Sequence, residues 1–281
     1  MALTSFRNDG LTFDLDDSGG DGEAVVVLHG FPQSRTCWSE LTPHLVAAGY
    51  RVLAPDQRGY SPGARPTRRR DYAIDLLVGD VEALADAAEL DRFHVVGHDW
   101  GGFLAWALAE RRPGRLLSMT SLSTPHPRAM ASAMLRSTQL LKSWYMGLFQ
   151  LPWLPEAAIR SARGGRRIRD AFIDSGMSSP EANDRLAMLR DGAARGALGW
   201  YRALPFAGPP KGGKVEVPAL YVYSTDDVAL GRKAADLTAN HVAGPYRYEV
   251  LEGVSHWIPD VAADTVAPMI LEHLAAYPAH P

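Results

Sequence analysis

The chain has very little cysteine and no long apolar run, and each shortage excludes a class of protein. Cys37 is the only cysteine among 281 residues, so no intramolecular disulfide can form and the fold does not depend on an oxidising compartment. We expect Cys37 to be a small buried thiol near a helix start. Residues 1–10 lack the features of a signal peptide, and no run approaches the 18 apolar residues of a membrane span. These shortages predict a cytoplasmic protein without a membrane partner.

The chain also lacks a strong excess of either charge. It has 29 Lys and Arg residues against 32 Asp and Glu residues, giving a formal net charge of −3, so nothing indicates a nucleic-acid partner or an anionic membrane. Two runs, 65–70 and 163–169, hold four arginines each, and a solvated loop or helix face is the simpler interpretation. No cluster of His, Cys and Asp has metal-ligand spacing, so we expect neither a metal nor a cofactor.

Segments with strand and helix patterns alternate along most of the chain. Residues 8–10, Asn-Asp-Gly, predict a hairpin turn. The run Ala24–Leu28 is short, apolar and rich in valine, as in a strand buried on both faces, whereas 71–90 carries apolar residues at helical spacing. The pattern predicts an α/β fold whose mostly parallel sheet is flanked by helices. The other predicted elements are strands over 51–54, 93–96, 116–122, 219–223 and 247–251, and helices over 38–48, 102–110, 232–239 and 261–275.

The middle of the chain has a different character. Residues 127–210 contain no convincing strand pattern, only helical stretches rich in Met, Trp, Arg and Ala. The run 208–213, GPPKGG, is typical of a linker. We therefore predict a core from residues 1–126 and 213–281, and an inserted helical cap or lid at 127–212 over the carboxyl ends of the strands. The predicted breaks between cap helices are at Pro152, Pro155, Gly164, Gly165 and Pro180.

The segment 95–102, VVGHDWGG, has the spacing of a nucleophile elbow, in which a strand turns sharply into a helix and exposes the central side chain. Here that side chain is Asp99, where a serine is usual. Asp99 could instead be a simple helix cap, but a cap does not account for Gly97 and Gly101, which a tight turn requires. The elbow is therefore the better interpretation.

An aspartate nucleophile restricts the chemistry. Attack by Asp99 on an ester carbonyl would form an anhydride, which is an uphill product. Attack on a saturated carbon with a leaving group forms an alkyl-enzyme ester instead. Epoxides and carbon–halogen compounds both fit this requirement, and the elbow alone does not separate them.

Two further motifs complete the predicted site. Residues 29–32, HGFP, follow a strand, and we expect the backbone N–H of Phe31 to pair with that of Trp100 as an oxyanion hole. Near the C-terminus, His256 follows the last strand and is positioned to act as a general base on water. The acid that orients it should come after the preceding strand. We choose Asp227 for this role and keep Asp226 as a possible helix cap, leaving open whether Asp226 shares the role.

With these motifs the sequence resembles the epoxide hydrolase branch of the α/β-hydrolase family over nearly its whole length. The resemblance implies that an epoxide and water are the reactants, that a vicinal diol is the product, and that no cofactor is needed. It also implies two lid tyrosines that donate hydrogen bonds to the epoxide oxygen. Tyr145, followed by Phe149-Gln150, is similar to the first of them, and Tyr201, in Trp200-Tyr201-Arg202, is similar to the second. The alternative for both tyrosines is packing within the lid.

Two rival hypotheses remain. Haloalkane dehalogenases hold the halide with side-chain N–H donors; Trp100 could be one such donor, but Phe31 has none. Fluoroacetate dehalogenases typically have arginine where this chain has Trp100. A binding protein without turnover need not keep Asp99, Asp227 and His256 together. The sequence leaves the epoxide and the oligomeric state open, and it suggests four apolar lid residues for the substrate pocket: Trp144, Met146, Leu148 and Trp153.

Overall fold

Eight strands form a single sheet in the computed structural model, which describes residues 2–137, 139–206 and 213–279. The strands are Ser5–Asn8 (β1), Leu11–Asp17 (β2), Ala24–Leu28 (β3), Arg51–Pro55 (β4), Phe93–His98 (β5), Leu116–Leu122 (β6), Ala219–Asp226 (β7) and Tyr246–Ser255 (β8). Their order across the sheet is β1-β2-β4-β3-β5-β6-β7-β8. The pairs β1–β2 and β2–β4 are antiparallel, and the other neighbours are parallel. The predicted α/β class and the hairpin at 8–10 are confirmed.

Thirteen α-helices are found in the described part of the chain. They are Thr42–Ala47 (α1), Ile74–Ala87 (α2), Trp100–Arg111 (α3), Pro127–Arg136 (α4), Gln139–Lys142 (α5), Trp144–Phe149 (α6), Leu154–Arg160 (α7), Ala162–Asp174 (α8), Ser179–Met188 (α9), Ala194–Ala203 (α10), Arg232–Leu237 (α11), Ile258–Val261 (α12) and Ala263–Ala275 (α13). Among these residues no helix is long and apolar enough to cross a membrane.

The sheet has a hydrophobic core on each face. Successive side chains of a strand point to opposite faces, and β3 shows this directly: Val26 packs in one core with α2 and α3, and Val27 in the other with α1 and α13. Cys37 belongs to the second core and is 1% exposed, as predicted. Because both faces are covered, the central strands β3, β5 and β6 are buried along their whole length.

Two predicted helices are shorter in the structure. The helix predicted over 38–48 is a 3₁₀ turn at Arg35–Trp38 followed by α1, which has Pro43 in its first turn. Proline fits the first turn of a helix but not its interior, so the helix cannot start earlier. The helix predicted over 71–90 is likewise a 3₁₀ turn, Arg69–Tyr72, followed by α2.

Helices α4 to α10 form the middle of the chain, and its described residues between 127 and 206 contain no strand. The predicted break at Gly164 and Gly165 is wrong, because α8 continues through both. A Cβ on Gly165 would lie 2.0 Å from the Arg190 guanidinium, so close packing accounts for the glycine there. The kink falls instead between α9 and α10, at Gly192 with φ +101°. The predicted linker at 208–213 lies outside the described residues except for Gly213.

Candidate active site

A tight turn between β5 and α3 presents Asp99. Its φ is +52°, a left-handed conformation that residues with a side chain rarely adopt. A Cβ on Gly97 would lie 2.1 Å from the carbonyl oxygen of Gly101, and one on Gly101 would lie 1.9 Å from that of Leu28. Both glycines are thus required by the closeness of the backbone. The Asp99 side chain makes no capping hydrogen bond to α3, so the helix-cap alternative does not account for it.

The order of the strands brings the two predicted loops together. Strands β3 and β5 are parallel neighbours, with Leu28 paired to Gly97, and β4 lies on the other side of β3. The chain thus runs from β3 to β4 on one side and from β5 to β6 on the other. A reversal of strand order of this kind opens a crevice at the carboxyl ends of the strands. There the backbone N–H of Phe31 donates a 2.7 Å hydrogen bond to Oδ1 of Asp99. Trp100 follows Asp99 as the first residue of α3, where backbone N–H groups have no partner within the helix.

The loops after β7 and β8 add an acid and an imidazole. Oδ2 of Asp227 accepts a 2.7 Å hydrogen bond from Nδ1 of His256, whose Nε2 lies 3.6 Å from Oδ2 of Asp99. The other oxygen of Asp227 accepts the N–H groups of the residues two and three positions later, at 2.7 and 2.8 Å. Asp227 is 2% exposed, whereas Asp226 ends β7 and is exposed. The structure thus brings Asp99, Asp227 and His256 together and leaves Asp226 outside the group.

The charges of this group determine its protonation. Burial opposes a charged imidazole, but the charge and hydrogen bond of Asp227, followed by those of Asp99, raise the pKa of His256 to about 10. Burial would raise the pKa of Asp99, yet the hydrogen bond and charge of His256 keep it below its usual value. The resting site therefore holds an Asp99 carboxylate beside a protonated His256.

The two other histidines of the motifs have structural roles. His29 is fully buried, and its Nε2 accepts the Gln57 N–H at 3.1 Å. His98 is also buried; its Nε2 donates to the carbonyl oxygen of His256, and its Nδ1 contacts the side-chain amide of Gln33, both at 2.8 Å. Burial lowers the pKa of His29 to about 4 and that of His98 to about 3, so both are neutral. Gln33 was missed in the sequence, although its position directly after the HGFP motif was a usable signal.

Both predicted tyrosines face this site from the helical middle of the chain, Tyr145 on α6 and Tyr201 on α10. The Tyr201 ring lies 5.3 Å from the Phe31 ring and 4.9 Å from the Trp100 ring, the residues that flank the Asp99 carboxylate. The Tyr145 and Tyr201 rings are 6.1 Å apart, edge to face. The two phenols therefore lie next to each other at the carboxylate end of the crevice.

The residues after Tyr145 hold the second tyrosine. Phe149 packs against both tyrosine rings, at 5.5 Å from Tyr145 and 4.9 Å from Tyr201. The Gln150 amide donates a 2.7 Å hydrogen bond to the backbone carbonyl of Tyr201. On the far side of α10, Arg202 forms a buried ion pair with Glu156, with Nη2 and Oε2 at 2.9 Å. These contacts tie α6, α7 and α10 together around the phenols.

The environment keeps both phenols protonated. Burial, followed by the charges of Asp99 and Asp227, raises the pKa of Tyr145 above its usual value. Burial also raises the pKa of Tyr201, with Tyr145 and Asp99 adding to the shift. A neutral phenol is a hydrogen-bond donor, so each tyrosine can donate to an oxygen placed above the carboxylate.

The predicted apolar pocket residues lie elsewhere. Trp144 is 69% exposed, Leu148 38% and Trp153 72%, so they face solvent rather than Asp99, and that prediction is corrected. The reason is helical geometry: Tyr145 and Phe149, four residues apart, occupy the inner face of α6, and Trp144 and Leu148 occupy the adjacent outer face. Met146 is half-buried on the same helix, and its role in the pocket stays a prediction.

Comparison with known proteins matches residues 23–263 to the family described as alpha/beta hydrolase fold. The AB hydrolase superfamily protein YfhM of Bacillus subtilis is 36% identical over 95% of this chain and 96% of its own. Epoxide hydrolase A of Mycobacterium tuberculosis is 29% identical over 94% of both chains. The crystal structure of Epoxide Hydrolase A from Mycobacterium thermoresistibile superposes with a TM-score of 0.84 at 25% identity, covering 98% of each chain. The sheet order, the elbow and the family match agree: the chain belongs to the α/β-hydrolase fold family.

Proposed function

We propose that the protein is an epoxide hydrolase, which converts an epoxide and water into a vicinal diol through an ester on Asp99. The observation that carries the proposal is the pair of neutral phenols, Tyr145 and Tyr201, beside a carboxylate that also contacts His256. The epoxide hydrolases among the similar sequences and structures support it independently and support membership of the epoxide hydrolase branch.

In the first step an oxygen of Asp99 attacks one carbon of the epoxide ring. The new bond joins that oxygen to carbon, and the ring C–O bond breaks with its electron pair on oxygen. The resulting alkoxide is a far stronger base than a phenolate, since a phenol has a pKa of about 10, so Tyr145 or Tyr201 can protonate it as the bond breaks. The products of the step are a hydroxyalkyl ester of Asp99 and one phenolate.

In the second step water cleaves the ester. The ester has no charge, so His256 loses one of the two carboxylates that raise its pKa and gives its proton through solvent to the phenolate, which restores the phenol. Neutral His256, held by Asp227, takes a proton from water, and the hydroxide attacks the Asp99 carbonyl carbon. The N–H groups of Phe31 and Trp100 stabilise the oxyanion. Collapse of the intermediate breaks the ester bond; the proton that His256 took from water goes to the departing diol oxygen, and the second proton of the water passes to His256, which restores the Asp99 carboxylate and the protonated imidazole.

The phenols favour an epoxide over a halide as the substrate. A halide leaves as a stable anion and needs no proton, whereas the alkoxide from an opened ring does. Dehalogenation needs side-chain N–H donors around the departing ion, and Phe31, which lies against Asp99, has none. The site therefore supports an epoxide better than a haloalkane or a haloacid as the substrate.

We further propose that residues 127–212 form the cap that delivers these phenols. Support comes from α4, which begins at Pro127 with His126 as its N-cap, directly after β6 and its loop. The cap contacts the core through the Trp200 indole, whose N–H donates a 2.8 Å hydrogen bond to the Arg58 carbonyl. The cap would thus act as a folded insert docked on the strand ends.

The test is a single turnover of styrene oxide in water enriched in ¹⁸O, followed by mass spectrometry of the peptide that contains Asp99. The ester route places the water oxygen in the Asp99 carboxylate, so we expect label in that peptide and unlabelled diol in the first cycle. Label only in the first-cycle diol would show direct attack by water and overturn the proposal. Halide release from a panel of haloalkanes and haloacids, without diol from any epoxide, would identify a dehalogenase.

A further inference from the structure

Backbone N–H groups of the loop after β7 hold one oxygen of the Asp227 carboxylate. Oδ1 accepts the N–H groups of Ala229 and Leu230, at 2.7 and 2.8 Å, which leaves Oδ2 to bond His256. The position of the carboxylate therefore depends on the path of the loop backbone. Any shift of that backbone changes the contact with the imidazole.

The side chain of Gln139, in the proposed cap, holds the backbone of the same loop. The Gln139 amide, on α5, donates a 2.8 Å hydrogen bond to the carbonyl of Ala229 and accepts one of 2.8 Å from the N–H of Gly231. Lys142, one turn later, donates a 2.8 Å hydrogen bond from Nζ to the carbonyl of Asp227 itself. Three hydrogen bonds thus join α5 to a loop about 90 residues away in the chain.

Gln139 uses both of its amide N–H groups and its amide oxygen in this position. Its second N–H donates to Oγ of Ser143 at 3.1 Å, and the side chain is 2% exposed. A Cβ on Gly231 would lie 2.9 Å from Oε1 of Gln139, so the amide sits directly against the backbone. A carboxylate would lack the donors, and an apolar side chain would leave two peptide groups of the loop without their partners.

We propose that Gln139, assisted by Lys142, is a positioning residue that sets Asp227 against His256 and so makes ester hydrolysis depend on the cap. The proposal rests on the proposed function, since it assigns Gln139 to the second of its two steps. The first step uses Asp99 and the phenols, which Gln139 does not contact. Loss of Gln139 should therefore slow hydrolysis and leave ester formation unchanged.

The experiment follows both steps with styrene oxide in Gln139→Leu. Rapid quench and intact mass spectrometry measure formation and decay of the alkyl-enzyme. We expect ester formation within about twofold of the original protein and hydrolysis slower by about 10- to 100-fold, the usual effect of a misplacement of about 1 Å. The ester should accumulate. The midpoint of the hydrolysis pH profile should move to lower pH, because a displaced Asp227 raises the pKa of His256 less.

Three companion variants separate positioning from general damage. Lys142→Met keeps the apolar stem, removes the Nζ donor, and should give a smaller change in the same step. Leu140→Ser, at an exposed position of α5, should change neither step. Gln150→Leu removes the amide that holds the Tyr201 carbonyl, and it should slow ester formation instead. If Gln139→Leu does not fold, Lys142→Met decides the matter by the same measurement.

Equal slowing of both steps, or an unchanged hydrolysis rate and pH profile, would overturn the proposal. A readout independent of turnover is the deshielded proton between His256 and Asp227, observed by proton NMR. This resonance should shift or broaden in Gln139→Leu and not in Leu140→Ser. If the original protein opens no epoxide but the resonance responds in this way, the proposed function fails and the positioning role stands. An unmoved resonance contradicts the positioning role.

Discussion

The core and the proposed cap contribute to the site by different physical means. On the core side, Asp99, Asp227 and His256 are fixed by hydrogen bonds to backbone and to one another at the ends of buried strands. On the cap side, Tyr145 and Tyr201 are placed by aromatic packing between short helices. In the mechanism proposed above, hydrogen bonds in the core therefore position the nucleophile and the general base, and aromatic packing between helices positions the proton donors.

The largest effect should come from removing the core nucleophile. Asp99→Asn keeps the shape of the side chain and a residue type that tolerates positive φ, but it removes the charge that attacks carbon. We expect kcat/KM for styrene oxide to fall by about 10⁴-fold or more. Asp226→Asn, at the exposed neighbouring acid of the β7 loop, is the matched control and should stay within about twofold. A comparable loss in both variants would contradict the assignment of the core roles.

The phenols of Tyr145 and Tyr201 should each contribute to the rate of ester formation. Tyr145→Phe and Tyr201→Phe should each slow ester formation by about 10-fold, and the double variant by about 10³-fold, within the range of general acid catalysis. Stopped-flow measurement of tryptophan fluorescence under single-turnover conditions follows this step. Tyr248→Phe, on β8, provides a control outside the cap. Full activity of the double variant would show that the core alone opens the ring.

The pH dependence of the rate of ester hydrolysis should show how the carboxylates around His256 set its pKa. His256 acts as a base only when neutral, so the rate of ester hydrolysis should rise with pH. Its pKa is about 10 beside the free carboxylate of Asp99 and 6.5 in the absence of neighbours. In the ester Asp227 still raises this pKa and burial still lowers it, so the midpoint should fall below 10. Measurement of alkyl-enzyme decay across this range checks the prediction, and Asp227→Asn should move the midpoint down.

The smallest effect should come from the outer face of the cap. Trp144→Ala and Trp153→Ala change side chains that face solvent, so the free energy of unfolding should change by less than about 0.5 kcal/mol and kcat/KM should be nearly constant. Phe149→Ala removes the ring that supports both phenols, and we expect it to lower kcat by about 10-fold. Urea denaturation and steady-state kinetics measure both quantities. A strong loss in Trp144→Ala would return this residue to the substrate pocket.

The sequence predicted the site residues at the ends of core strands better than those on the helices of the proposed cap. Asp99, Asp227 and His256 each follow a strand directly, so short-range patterns and the rules of parallel sheets were enough to bring them together. Tyr145 and Tyr201 were found only through resemblance, because nothing in a helical pattern singles out a phenol. Trp144 and Leu148 were misassigned because an apolar composition does not say which side of a short helix faces inward.

Contacts distant in sequence were beyond reach altogether. Gln139 and the β7 loop meet because the insert folds back over the strand ends, and neither segment carries a local signal of the other. The same holds for Arg185 of α9, whose guanidinium donates hydrogen bonds to the Ser34 and Thr36 hydroxyls at 3.0 and 2.8 Å. Only the three-dimensional arrangement shows such long-range side-chain contacts.

The positive φ of Asp99 implies that the protein has lower folding stability in exchange for a reactive carboxylate. A residue with a side chain in such a conformation costs about 1–3 kcal/mol, and glycine would relieve most of that cost. We therefore expect Asp99→Gly to be inert yet to melt at a higher temperature in calorimetry. The backbone conformation that lowers the stability of the fold at Asp99 is also the one that orients its carboxylate toward the site.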